Sequence, residues 1–168
     1  MSVLFKEEDF FQACAELDVP NVTDYEFFTE AHDVKIYRKY NKESYLYQYK
    51  IYGTLKNVSP EICAQVYMDL EYRKKWDTYV VELKEAEHDG EKAIYWKVNF
   101  PFPLSNRDYV YRRELRELIY KNRPVCVILA QSVRVDSLPP KKGVVRVEDY
   151  VQSMAITSDG NHGTKGKA

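Results

Sequence analysis

The sequence predicts an α+β domain in which a curved antiparallel sheet carries its helices on one side. Three observations lead there. From about residue 79 onward the chain reads as successive strands with no helix between them, and uninterrupted hairpins make antiparallel neighbours. Helical spacing occurs in only two places, near the N-terminus and between Ser59 and Trp76. Tyrosine is the compositional outlier, with 15 copies against 7 Phe and 2 Trp, and its ring body with a polar tip suits strands and amphiphilic pockets.

Each element follows from local pattern. Residues 6–18 place Phe10, Cys14 and Leu17 at i, i+4 and i+7, a helical stripe that Pro20 ends. Residues 25–28 and 34–40 read as short strands around a turn at His32 and Asp33. Residues 44–52 form the clearest strand, with Tyr45, Tyr47, Tyr49 and Ile51 on one face at period two. Ser59-Pro60-Glu61 is a helix start: an N-cap, a proline at the first helical position and an acid near the positive end of the dipole. Ile62, Val66 and Leu70 continue the stripe, and a second helical stretch runs through Arg73 and Trp76. Strands are then expected near 79–86, 92–99, 108–119 and 125–133. Turns at His88-Asp89-Gly90-Glu91 and Lys121-Asn122-Arg123-Pro124 join the first and last pairs of these. After a loop holding Pro139, Pro140 and Gly143, a last long strand spans about 144–157. The closing SDGNHGTKGKA, with three glycines, reads as a flexible tail.

Composition excludes several classes. One domain is the default for 168 residues, and 45% hydrophobic with 30% charged residues is an ordinary globular balance. A net charge of −1 provides no global field for nucleic acid. The longest apolar run, Val125 to Ala130, is too short for a bilayer, and the N-terminus turns acidic where a signal peptide needs apolar length. Cys14, Cys63 and Cys126 are odd in number and lack CxxC spacing, so they read as free thiols in a reducing compartment, and a cytoplasmic location is expected.

Two segments carry the chemistry. The first, VYMDLEYRKKWD, places Arg73 and Asp77 four apart on a helix, and the second, YWKVNFPFPLSNRDYVY, alternates Trp96 and Val98 on one strand and Tyr109 and Tyr111 on another. A quaternary ammonium cannot donate a hydrogen bond, so ring faces hold it, each contributing ~0.5–2 kcal/mol. A phosphodiester matches the planar fork of a guanidinium. Together they suggest phosphocholine. Plainer readings stand beside this one: an exposed ion pair for Arg73 and Asp77, and ordinary sheet core for the aromatics. Asn106, Arg107 and Asp108 read as a loop-fixing hydrogen-bond cluster rather than a catalytic one. His32, His88 and His162 lack spaced partners for a triad or metal site, there is no glycine-rich phosphate loop, and acids interrupt the basic stretches. No catalysis, cofactor, metal or nucleic acid is expected.

At these residues the chain resembles a known family. YMDLEYRKKWDTYV, YWKVNFPFPLSNRDYVY, VILAQS and GVVRVEDYVQSMAITSDG are similar to START lipid-transfer domains, within the branch that carries phosphatidylcholine. The resemblance runs from about Phe5 to Lys165 and implies a helix-grip fold with one phospholipid in a tunnel. It also implies roles. Trp96, Tyr109 and Tyr150 match the choline cage, Arg73 the phosphate ligand and Asp77 its partner, while Tyr67 and Gln152 match neighbouring headgroup contacts. Transient contact with membranes follows from the family's transfer activity.

The resemblance stops at the end of the chain. After Gly163-Thr164-Lys165 the family continues into a final strand, which lies between strands matching 44–52 and 144–157, and then into a long C-terminal helix. Here Gly166-Lys167-Ala168 closes the sequence. The expectation is a START-like domain over 1–165, incomplete at its C-terminus, with 166–168 as a divergent tail. Orphaned strand edges would then favour self-association or a protein partner and impair transfer. A regulatory protein without transfer activity and a helix-grip enzyme are the alternatives.

Overall fold

A computed structural model describes residues 4–168. The expected domain's first three residues lie outside them. The described elements are helices α1 (Glu7–Asp18), α2 (Pro60–Met68) and α3 (Leu70–Trp76) and ten strands. The strands are β1 (Glu26–Ala31), β2 (Val34–Asn41), β3 (Leu46–Leu55), β4 (Val80–His88), β5 (Glu91–Val98), β6 (Arg107–Tyr120), β7 (Arg123–Ser132), β8 (Val145–Val147), β9 (Val151–Ser158) and β10 (Thr164–Lys167). Hydrogen bonding orders them β1-β2-β3-β10-β9-β7-β6-β5-β4, with β8 pairing β6 off this path. The α+β class is as expected. Among the described residues no helix is long and apolar enough to cross a membrane.

Hairpin chemistry explains most of the order. Three pairs of strands are joined by two-residue loops in which both residues have positive φ: His32-Asp33, Asp89-Gly90 and Lys121-Asn122. That backbone twist matches the twist of the strands it joins. Ser59 caps α2 as the sequence suggests, its Oγ accepting from Ile62 N at 3.3 Å.

The structure corrects four expectations. Tyr45 does not extend β3; it sits exposed in the preceding turn at φ 58°. The single strand expected over 144–157 breaks into β8 and β9 around residues 148–150. The sheet is not wholly antiparallel, because β8 runs parallel to β6. The closing segment is not a flexible tail. β10 pairs with β3 on one side and β9 on the other, the place the resemblance gave to a strand the chain was expected to lack. Gly166 stands opposite Gly53 and Ile156, and Ala168 exchanges backbone hydrogen bonds with Ile51 at 2.7 and 2.8 Å. The two strands expected to be orphaned are therefore joined through β10.

The chain divides into two compact units. The first comprises residues 1–64, 115–128 and 153–168. Its α1 buries Phe10, Cys14 and Leu17, the stripe read from the sequence, together with Ala13, and packs on β10. Glu16 of α1 accepts from Tyr52 Oη at 2.8 Å and Lys50 Nζ at 3.1 Å, while Asp18 accepts from Arg123 at 2.6 Å. Thr164 anchors β10 through Oγ1 to Val58 O at 2.6 Å. The second unit comprises residues 65–114 and 129–152. Leu83, Ile94, Tyr111 and Ala130 form one of its cores; Ala93, Tyr95 and Val110 form another.

Lys167 on β10 is 7% exposed, with its Nζ donating to Ser153 Oγ at 2.8 Å. Burial lowers its ammonium from the ordinary 10.5; Glu16 opposes that shift and Lys50 adds to it. For a base with a lowered folded value, the unfolded chain binds more protons between that value and 10.5, so Lys167's contribution to stability improves as pH rises through the window. Lys167→Met should raise stability at neutral pH by roughly 1 kcal/mol or more, as replacing buried ionic groups by apolar ones often does. Urea unfolding of both proteins checks this: the gap between variant and wild type should narrow toward pH 10, and a constant or widening gap would contradict it.

Candidate functional site

All seven residues singled out from the sequence lie in the second unit. α3 supplies the cation. Its N-cap Asp69 accepts from Tyr72 N at 2.8 Å, which holds the first turn, and the four-residue spacing brings Arg73 and Asp77 onto one face. Arg73 Nε meets Asp77 Oδ2 at 3.1 Å, and the other Asp77 oxygen accepts from Tyr79 N at 3.1 Å. The Asp77 side chain is 11% exposed and that of Arg73 25%, so the pair is partly buried rather than a freely exposed surface pair. Only Nε of the guanidinium is engaged, and its two Nη groups have no protein acceptor among the described residues.

β5 and β6 supply the rings. Their register sets Trp96 opposite Tyr109 and Ile94 opposite Tyr111. Alternation then gives one face to these four residues and the other to Tyr95, Asp108 and Val110. Trp96 and Tyr109 stack at 4.7 Å between centroids. Tyr150 meets Trp96 edge-on at 6.3 Å, Tyr109 at 5.4 Å and Tyr111 at 5.2 Å. The three rings expected to form a cage are in mutual contact. The Arg73 guanidinium lies 4.4 Å from the Trp96 centroid, within cation–π range. Trp96 Nε1 is buried with no hydrogen-bond partner among the described residues.

Tyr67 and Gln152 join the same group. The phenols of Tyr67 and Tyr150 both donate to Gln152 Oε1, the latter at 2.5 Å. Two donors on the carbonyl oxygen fix which way the amide points, leaving its N–H groups to face away from them. Burial pushes the Tyr67 phenol up to about 12 and raises Tyr109, Tyr111 and Tyr150 as well, so all four are neutral donors at physiological pH. Arg113 donates to Met68 O at 2.7 Å, seating a cation on the C-terminus of α2, which has no basic residue in its own last turn.

The expected loop-fixing cluster is present in part: Asn106 bonds the loop, whereas Arg107 stacks and Asp108 bonds Tyr95 and Arg146 instead. Asn106 Oδ1 accepts from Phe100 N at 3.2 Å and its carbonyl from Val145 N at 2.9 Å, Arg107 stacks on Phe100 at 4.3 Å, and Asp108 is fully buried. His88 does have a serine partner, Ser137 Oγ at 2.9 Å, which the spacing in the sequence did not show. In the first unit, a cleft of about 570 Å³ is lined by Pro60, Ala64, Glu117, Cys126, Ile156 and His162 among others. It contains none of the seven residues, and burial pushes the Cys126 thiol up to about 11, away from reactive thiolate.

With this geometry in place, a family model described as START domain matches residues 22–166. The chain belongs to the START domain family. It is 49% identical to the phosphatidylcholine transfer protein of Rattus norvegicus over 163 residues, 96% of this chain and 76% of that protein. The Homo sapiens phosphatidylcholine transfer protein is 48% identical over the same span and shares. Among solved structures, human STARD10 matches with a TM-score of 0.80 at 24% identity, covering 98% of this chain and 66% of that one. The START chain is thus shorter than these relatives, and its fold is theirs.

Sequence reasoning missed Tyr111 as a fourth ring and Arg113 as the α2 cap. Their signal was present: Tyr109, Tyr111 and Arg113 recur at period two on one strand face. Asp69→Ala, which removes the α3 cap, should cost about 1 kcal/mol of stability, read as a lowered urea midpoint. An unchanged midpoint would show that the cap does not hold α3.

Proposed function

We propose that this START chain binds one phosphatidylcholine molecule and exchanges it between membranes without covalent chemistry. The observation that carries the reading is a guanidinium with two unclaimed Nη groups lying beside three packed aromatic rings. Arg73 takes the phosphate as a two-pronged donor while Asp77 holds Nε. Trp96, Tyr109 and Tyr150 take the choline through their faces. The amide N–H of Gln152 serves acceptors next to the headgroup, and Tyr67 acts through it, its single O–H fixing the amide together with that of Tyr150. The names of the transfer-protein relatives support the ligand class.

The arrangement gives binding an order. The Arg73 guanidinium rests on the Trp96 face, which is where a choline cation would also be attracted. Two cations cannot share that face, so phosphate must draw Arg73 off the ring as the ammonium moves onto it. Headgroup entry therefore exchanges one cation–π contact for another and adds the phosphate ion pair.

Transfer also needs a place to touch a bilayer. Phe102 is 97% exposed, and Leu104, Trp76 and Tyr79 are exposed too. Tyr79 O accepts from Asn99 N at 2.8 Å, which brings the root of the Phe102 loop beside the end of α3, where Lys74 and Lys75 stand. Aromatic rings with lysines suit the headgroup zone of a membrane. Three free thiols among the described residues support a reducing, cytoplasmic setting.

Vesicle binding tests the site. Arg73→Ala should cost on the order of 3–5 kcal/mol of phosphatidylcholine binding, as for a broken buried pair, and Arg73→Lys should fail to restore it because a point charge lacks the fork. Phosphatidylethanolamine keeps three N–H donors that ring faces cannot satisfy, so wild type should prefer choline and Trp96→Ala should erode the preference. Normal binding by both Arg73 variants, or equal uptake of the two lipids by wild type, would overturn the assignment. For the membrane face, Phe102→Ser should slow transfer between vesicles while leaving equilibrium affinity unchanged; equal rates would remove the loop from the account.

A further inference from the structure

Behind the ring face, on the opposite side of β5 and β6, lies a second polar group that lipid contact does not explain. Asp108 is 0% exposed. Its Oδ1 accepts from Arg146 Nε at 2.7 Å, and its Oδ2 accepts from Arg146 Nη2 at 3.1 Å and from Tyr95 Oη at 3.0 Å. Arg146 Nη1 donates to Leu138 O at 3.0 Å and Nη2 to Pro139 O at 3.4 Å. The carboxylate is matched by a two-pronged fork and a phenol, so a buried charge is tolerated there.

Its position in the sheet is what matters. β8 has three residues and is the parallel partner in a sheet of antiparallel pairs. A strand that short has too little side-chain pattern to fix its own register, and slipping by one residue turns every side chain to the other face. The ion pair sits at the centre of the register: Arg107 lies opposite Val145, Asp108 opposite Arg146 and Tyr109 opposite Val147. Four residues after Arg146 comes Tyr150, whose N–H and C=O are both held by Ser132, at 3.0 and 2.8 Å. Gln152 follows on β9.

We propose that Asp108 and Arg146 are positioning residues for the headgroup site: their buried pair fixes β8 against β6 and so delivers the ring of Tyr150 onto Trp96 and Tyr109. This rests on the reading of Tyr150 as a cage wall. A buried ion pair often adds little to stability compared with apolar residues of similar size, and setting a register is its best-attested use. Val133, Val135 and Leu138 pack on Ala93, Tyr95 and Val110 beside the pair, whose carboxylate is fully buried and whose Arg146 side chain is 11% exposed.

The test separates register from stability. An apolar triple variant, Tyr95→Phe with Asp108→Leu and Arg146→Met, removes carboxylate, phenol and guanidinium together, and the carbonyls of half-buried Leu138 and exposed Pro139 that Arg146 also served pass to water. Three quantities are read: urea midpoint, ring-to-ring nuclear Overhauser contacts without lipid, and uptake from phosphatidylcholine against phosphatidylethanolamine vesicles. The expected result is a midpoint near wild type, a retained Trp96–Tyr109 contact, weakened or multiplied Tyr150 contacts, and a choline preference reduced roughly tenfold. Intact Tyr150 contacts and preference in the folded triple variant would overturn the proposal. Should that variant not fold, Arg146→Lys decides. Loss of Tyr150 contacts beyond the loss of stability supports register setting, and losses that merely follow stability reject it. If wild type shows the ring contacts but no choline preference, the lipid reading falls while the contacts still judge the pair.

Discussion

The register of β5 against β6 is the constraint on which the site depends. It puts Trp96 beside Tyr109 on one face and Tyr95 beside Asp108 on the other. One face gathers rings that can meet a cation; the reverse face gathers the buried polar group that seats β8. A shift of one residue would exchange the two and leave a carboxylate among the rings. The Arg73 helix, the Tyr67–Gln152 hydrogen bond and the Arg113 cap all converge on the ring face so fixed.

How much of this was legible in the sequence varies by segment. The helix carrying Arg73 and Asp77 and the alternation of Trp96, Tyr109 and Tyr111 are local patterns, and local patterns survive into the fold. Tyr150 and Gln152 could be reached only through resemblance to START domains. Their approach depends on a three-residue parallel strand and a break at residues 148–150, whereas the sequence there alternates like one continuous strand. Nothing in a single chain's periodicity announces a parallel partner. Asp108 was read as a loop-fixing group, which is right in kind, but its partner Arg146 lies 38 residues away.

The closing segment was misread for a physical reason. Its glycines look like flexibility, yet at two positions they answer to close approach. A Cβ on Gly163 would come within 2.3 Å of Asp159 Oδ2 and 2.7 Å of Leu55 O, and one on Gly166 within 3.1 Å of Ile156 Cγ2. Composition cannot distinguish a glycine that frees the chain from one that lets strands pack. Lys167 adds to this, since a lysine on a core-facing strand position runs against ordinary burial preference. The result is a strand between β3 and β9 at the place where the resemblance predicted a gap.

The central claim is that the ring face and Arg73 hold a choline phospholipid in this chain of 168 residues. The most direct measurement is native mass spectrometry of the chain after exposure to mixed vesicles containing equal phosphatidylcholine and phosphatidylethanolamine. A stoichiometric complex with phosphatidylcholine, lost in Arg73→Ala, is the result predicted. A chain that carries no lipid, or takes up both lipids equally, would contradict it.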